Sequence, residues 1–201
     1  MRVLQGPTLI KFVESFIENN VIYIVMEYAD GGSLDQKIKD YIVKGKTFTT
    51  DEILRYMAQI TLGVMAMHSK NILHRDIKTQ NIFITQNDIL KIGDFGISKQ
   101  VETITPLAMT ACGTPYFMPP EVCQGKPYDS KADVWAVGVI LYELITLRKP
   151  FDSDSINGVF DKIVKSPLEP LPQSVDSGLK MLVAALLNKN YSMRPNIFEV
   201  A

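Results

Sequence analysis

The stretch from Leu73 to Asp94 constrains the fold more than any other part of the chain. It holds two short apolar runs, Ile82-Phe83-Ile84-Thr85 and Ile89-Leu90-Lys91-Ile92, on either side of the polar turn Gln86-Asn87-Asp88. Runs this short with a polar turn between them predict a tight antiparallel hairpin. Asn81 and Asp94 stand at its two open ends, so the hairpin brings an amide oxygen and a carboxylate towards one place. Just before it the chain reads Leu73-His74-Arg75-Asp76-Ile77-Lys78-Thr79-Gln80-Asn81, and Asp94-Phe95-Gly96 closes the stretch. Any one of these residues alone reads as a solvated loop carboxylate or a turn amide. The ordered set, framed by the hairpin, reads as a site for phosphoryl transfer.

That chemistry needs a carboxylate to orient and deprotonate the attacking hydroxyl. It also needs oxygen ligands for Mg²⁺, which neutralises charge building on the phosphate oxygens. Asp76 suits the base. Asn81 and Asp94 suit the metal, because Mg²⁺ takes hard oxygen donors and few protein carboxylates. Lys78 suits a point charge beside the transferred phosphate.

His-Arg-Asp-x-x-x-x-Asn followed by Asp-Phe-Gly resembles the eukaryotic protein kinases. Within them the chain is most similar to the NIMA-related (Nek) serine/threonine kinases. The segments that carry this are HRDIKTQNIF from His74 to Phe83, LKIGDFGISK from Leu90 to Lys99, and CGTPYFMPPE from Cys112 to Glu121. The resemblance covers nearly the whole chain. It implies an α+β, kinase-like fold, mostly the helical C-lobe with the hinge and the last two N-lobe strands. Residues 1–201 would then be a partial kinase domain, with 1–28 the remnant of the N-lobe and hinge and 29–201 the C-lobe. ATP and Mg²⁺ are the implied cofactors, and protein substrates phosphorylated on Ser or Thr the implied partners. Lys78, in HRDIK, points to Ser or Thr rather than Tyr.

The same resemblance assigns further residues. Met26 is the gatekeeper beside the adenine pocket, although taken alone it reads nearly as well as core. Backbone groups of Glu27 and Ala29 bond the adenine edge, and Phe83 floors the ring. Thr114, in Gly113-Thr114-Pro115-Tyr116, bonds Lys78 and Asp76 in the substrate-docking loop. Thr110, four residues earlier, is the activating phosphosite, with Thr103 and Thr105 as alternatives. Arg75 is the cation that receives that phosphate, because phosphothreonine and arginine form charge-assisted bonds. Asp133 holds the catalytic-loop backbone, and Glu121 pairs with Arg194. Two departures matter. Pro119-Pro120-Glu121 stands where the family has Ala-Pro-Glu, which removes a backbone donor and stiffens the segment. Ser33 stands where basophilic kinases often carry Glu, which speaks against an arginine-directed substrate.

The sequence contains neither Gly-x-Gly-x-x-Gly nor Val-Ala-Ile-Lys. The reading is therefore an incomplete ATP-dependent serine/threonine kinase domain. The alternative is a catalytically inactive, kinase-like interaction module. The full set Asp76, Lys78, Asn81 and Asp94 favours the enzyme; the missing phosphate clamp favours the module.

Composition closes off other classes. A net charge of −1 gives no footprint for nucleic acid or an anionic membrane. The two cysteines, Cys112 and Cys123, have neither metal-ligand nor disulfide spacing. Reduced thiols and the cytoplasm follow, with nucleus and cytoskeleton as alternatives. Cys123 reads as packing rather than a reactive thiol. No secretory signal opens the chain, and the longest apolar run, Val134 to Leu147, is too short to span a bilayer and contains Glu143.

Elsewhere, Ile10 to Phe16 and Val21 to Tyr28 read as strands joined by Glu18-Asn19-Asn20. Ser33-Leu34 opens a helix. Thr49-x-x-Glu52 is a capping box opening a helix through about Ser69, with Ile53, Met57, Ile60, Val64 and Met67 as its core stripe. Ser130 to Leu147 reads as a central buried helix, and further helices lie near Ser155–Lys165 and Asp176–Asn188. Ile82 and Ile84 are expected to face the core, towards the helix at 134–147.

Overall fold

The computed structural model describes residues 4–94 and 115–201. Helices dominate, beside two separate two-stranded antiparallel sheets. This is the α+β mixture expected from the sequence.

The first sheet pairs β1 (Phe12–Glu18) with β2 (Val21–Met26). Asn19 and Asn20 turn the chain between them in the left-handed region, at φ 51° and 60°, which asparagine tolerates better than most residues. The first strand begins later than expected. Leu9 and Ile10 are buried and belong to a different pairing, where Ile10 N–H donates to Ile92 C=O at 2.8 Å and Ile92 N–H donates to Thr8 C=O at 2.9 Å.

Two capped helices follow. In α1 (Leu34–Val43), Ser33 accepts from the Gln36 amide and the Gln36 side chain accepts from the Ser33 amide at 3.0 Å. In α2 (Thr50–His68), Thr49 and Glu52 form the expected reciprocal box. The stripe Ile53, Met57, Ile60, Val64 and Met67 is buried throughout.

The hairpin forms as β3 (Ile82–Ile84) and β4 (Leu90–Ile92), with Phe83 opposite Lys91. Ile82 and Ile84 face the core as expected. However, β3 packs chiefly on α1 and β4 on α2, so the hairpin reaches the core through those helices more than through the later central one. Asp88 in the turn explains this seat. It accepts from Lys37 Nζ on α1 at 2.9 Å, and from Arg55 Nη2 at 2.6 Å and the Tyr56 hydroxyl at 2.5 Å on α2. Burial first, and then Asp88 itself, push the Tyr56 phenol up, so it stays a donor.

A short helix α3 (Pro120–Cys123) precedes the central α4 (Ser130–Thr146). Asp129 caps α4, which is buried from Ala132 through Leu144. A helix apolar on every side needs partners on every side. It packs on α2 and on α6 (Ser177–Leu186), where a Cβ on Gly138 would lie 2.7 Å from Leu186 Cβ. Leu147 then reverses the chain at φ 58°. The helices α5 (Ile156–Lys165) and α7 (Ile197–Val200) complete this body. No described helix is long and apolar enough to cross a membrane.

The β1–β2 ribbon is the exception to good burial. Val13, Ile17, Val21 and Ile22 are 51–72% exposed, and Phe16 stacks on Tyr23 at the surface, their ring centroids 5.1 Å apart. Isolated two-stranded ribbons with apolar faces and free edges associate. As a purified polypeptide, residues 1–201 should self-associate at micromolar concentration in size-exclusion chromatography, and Ile17→Lys with Ile22→Lys should reduce this. A monomeric wild-type peak would contradict the expectation.

Candidate active site

The loop before the hairpin folds onto its own side chains. Lys78 Nζ lies 2.8 Å from Asp76 Oδ2. Residues Thr79–Asn81 form a 3₁₀ turn, which buries Asn81 and aims its amide back. Asn81 Nδ2 donates to Asp76 C=O at 2.9 Å and to Asp76 Oδ2 at 3.1 Å. Three of the four residues expected to carry the chemistry are thus brought together. The fourth follows from a backbone bond: Gly93 N–H donates to Asn81 C=O at 2.9 Å, so Asp94 emerges beside Asn81 with its side chain exposed. Arg75 and Asp94 adopt φ of 67° and 55°. The left-handed region costs an ordinary residue ~1–2 kcal/mol, and here the surrounding bonds hold both turns in it.

Asp133, at the start of α4, supplies many of those bonds. Its Oδ2 accepts from the His74 amide at 3.0 Å and its Oδ1 from the Arg75 amide at 3.1 Å. This is the backbone support expected of it. Two further contacts were not expected: His68 Nε2 lies 2.8 Å from Oδ2, and the Tyr128 hydroxyl donates to Oδ1 at 2.6 Å. Burial pushes the Asp133 carboxyl up, but the bonds from His68, Tyr128 and the His74 amide outweigh it and hold the group below its ordinary value.

His74 was passed over in the sequence, and it ties the two motifs together. It is buried; its Nε2 lies 3.0 Å from Gly93 C=O and its Nδ1 accepts from the Asp76 amide at 3.2 Å. One nitrogen donates and the other accepts, so the ring works as the neutral imidazole. Burial, the largest influence, pulls its pKa below 6.5. The unfolded chain therefore binds this proton first as pH falls, and stability declines below about pH 6.5 with a limiting slope of ~1.4 kcal/mol per pH unit. Urea midpoints measured from pH 7.5 to 5.5 should fall for the wild type and fall less for His74→Phe. Equal slopes would exclude His74 as the cause.

The adenine-side residues are only partly as expected. Glu27 N–H donates to Lys11 C=O at 2.8 Å, so the fold engages that amide. Its carboxylate, which had no expected role, pairs with Lys91 at 2.9 Å and accepts from the Lys11 amide at 3.1 Å. Met26 is 40% exposed rather than core, Ala29 is buried, and Phe83 is half-buried against Gly93. A Cβ at Gly93 would lie 2.8 Å from the Phe83 ring, so glycine is what lets the ring lie this close to the backbone.

The Asn81 amide nitrogen is engaged with Asp76, its amide oxygen is a hard donor, and Asp94 adds an exposed carboxylate. This pair fits Mg²⁺, which takes hard oxygen donors and few protein carboxylates. Among the described residues no group of three or more His, Cys, Asp or Glu forms a metal centre.

Arg194 and Glu121 form the expected buried pair, at 2.7 and 3.1 Å through two nitrogens. Burial pushes the Cys123 thiol up to about 12, so it is not a thiolate. Thr110 and Thr114 lie outside the described residues, as do Phe95, Gly96, Thr103, Thr105 and Cys112.

Comparison with known proteins agrees with this arrangement. A family model for the protein kinase domain matches residues 1–201. Serine/threonine-protein kinase Nek3 of Mus musculus is 44% identical over 193 residues, covering 96% of this chain and 37% of that protein. Nek1 of Mus musculus is 39% identical over 197 residues, covering 98% and 16% respectively. Nek5 of Homo sapiens is 40% identical over 198 residues, covering 98% and 28%. The chain thus spans well under half the length of these relatives. With a helical body, a short hairpin and this loop geometry already in hand, the match settles the family: the chain belongs to the protein kinases, and within them to the Nek serine/threonine kinases.

Proposed function

We propose that the protein transfers the γ-phosphoryl group of ATP to serine or threonine in protein substrates. The observation that carries this reading is the position of Asp76, whose carboxylate is braced by Lys78 and Asn81 beside the turn that bears Asp94. In this reading the acceptor hydroxyl donates to Asp76, which orients it and takes its proton as the new P–O bond forms and the bond to ADP breaks. Lys78 keeps its charge beside the transferred group. Phe83, Met26 and the backbone of Glu27 and Ala29 receive the adenine. Asn81 and Asp94 would hold Mg²⁺, which would supply positive charge against the phosphate oxygens.

Residues 1–28 would serve as strands and hinge of the smaller lobe and 29–201 as the larger. Thr114, in the substrate-docking loop, would bond Lys78 and Asp76, and Arg75 would receive phosphate on Thr110. We take the enzyme to be cytoplasmic, with nucleus and cytoskeleton as the alternatives, in line with a partly buried Cys123 held as the thiol. The test is incubation of the full-length protein with Mg-ATP labelled on the γ-phosphate and matched Ser, Thr and Tyr peptides. Label should enter the Ser and Thr peptides and not the Tyr peptide. No label in any peptide, with Mg-ATP binding intact, would favour the inactive interaction module. Mass spectrometry of active protein should find Thr110 modified; modification at Thr103 or Thr105 instead would move the switch there.

A further inference from the structure

The cleft beside the catalytic loop does not stop at Asp76. Its volume of about 600 Å³ shares Asp35, Lys39 and Lys149 with a second cleft of about 710 Å³, so the two form one groove. Two carboxylates in this groove are answered from within the chain. Asp35 pairs with Lys39 at 2.7 Å. Glu143, 5% exposed on α4, pairs with Lys149. Lys149 is also held over the Phe117 ring, 4.4 Å from its centroid, and 5.9 Å from that of Tyr116. It is thus fixed on the segment that re-enters the described structure at Pro115. Among the described residues the second cleft is lined by four cations and four carboxylates, so it carries no net charge.

We propose that Lys149 is a specificity-determining residue: it occupies the carboxylate site at Glu143 that a Lys or Arg of a peptide substrate would otherwise fill. The protein then has no preference for a basic flank at this subsite. The inference rests on peptides being the substrate, as proposed above. Its physical basis is the cost of leaving a buried carboxylate unpaired. With Lys149 in place the Glu143 site is satisfied and an incoming cation meets Lys149 as a like charge. Without it the same carboxylate faces the groove, and a guanidinium restores the pair with two hydrogen bonds.

The test is fluorescence-anisotropy titration of full-length protein with Ser peptides, one with neutral flanks and a set in which a single Arg or Glu is scanned through the flanks. Wild type should bind the neutral and Arg peptides within about twofold. Lys149→Met should bind one Arg peptide about tenfold tighter, the size of one charge-assisted hydrogen bond. That gain should vanish in Glu143→Gln/Lys149→Met. Glu143→Gln alone frees the Lys149 charge, and should instead favour a Glu peptide at the same position. This second arm decides the question if thermal scans show that Lys149→Met does not fold. The proposal is overturned if wild type already prefers an Arg peptide tenfold, if neither variant gains a charge preference, or if the Arg gain survives loss of the carboxylate. Phosphate transfer is assayed separately on the neutral peptide. Failure of transfer with this binding pattern intact would count against the enzyme and not against the Lys149 site.

Discussion

Asp76→Asn in the full-length protein should lower peptide phosphorylation by about 10²–10⁴-fold while leaving the melting temperature nearly unchanged. Asparagine keeps the volume and can still accept from Asn81 Nδ2, which donates to Asp76 Oδ2 at 3.1 Å. It cannot take a proton from the acceptor hydroxyl. The substitution also breaks the ion pair to Lys78, but those side chains are 33% and 29% exposed. A pair so open to solvent contributes no more than ~1 kcal/mol to stability. Activity and stability should therefore separate cleanly. A variant that keeps a tenth of the wild-type rate would remove Asp76 from the role of base.

Arg194→Met should show the opposite signature, a large loss of stability whatever happens to the rate. Arg194 is buried, and its guanidinium reaches both oxygens of Glu121, the carbonyl of Lys131 at 2.8 Å and that of Asn188 at 3.0 Å. It also lies 5.0 Å from the Trp135 ring. Removing it strands the Glu121 carboxylate, whose side chain is 4% exposed. Breaking such a pair from one side costs ~3–5 kcal/mol, a large part of the ~5–15 kcal/mol by which a domain is stable. Urea denaturation reads this directly, and a loss below 1 kcal/mol would contradict it. Glu121→Gln combined with Arg194→Met should recover part of the loss, because no buried charge then remains unpaired.

What the sequence made legible was local or periodic. Capping boxes announce themselves at fixed spacing, which is why Thr49 and Glu52 were readable. The stripe of α2 and the apolar run of α4 specify buried faces without needing to name their partners. The Asp133 role and the Glu121–Arg194 pair came from resemblance, since no pattern links residues so far apart. What stayed hidden is the set of polar partners that meet only through tertiary packing. His68, Tyr128 and His74 each look like ordinary residues until α4 brings Asp133 to them. Asp88 read as a turn residue because turns favour aspartate; its contacts to Lys37 and Arg55 cross 51 and 33 residues. Lys149 is six residues from Glu143, a spacing that does not place side chains on one helix face. The left-handed turn at Leu147 swings it back over the end of α4.

The reach of Asp133 along the chain also bears on how the protein is made. The hairpin and its bond from Gly93 to Asn81 close within a dozen residues. The amides of His74 and Arg75, by contrast, wait for a carboxylate 59 and 58 residues further on. A ribosome adding roughly 5–20 residues per second takes several seconds over that interval. A nascent chain therefore closes the turns that bear Asn81 and Asp94 before Asp133 can brace the loop that bears Asp76. Pulse-labelled hydrogen exchange on stalled chains would read this order, with the Thr85 and Gly93 amides, which donate across the hairpin to Ile89 and Asn81 C=O, protected ahead of that of Arg75. Simultaneous protection would mean that the hairpin waits for the central helix to emerge.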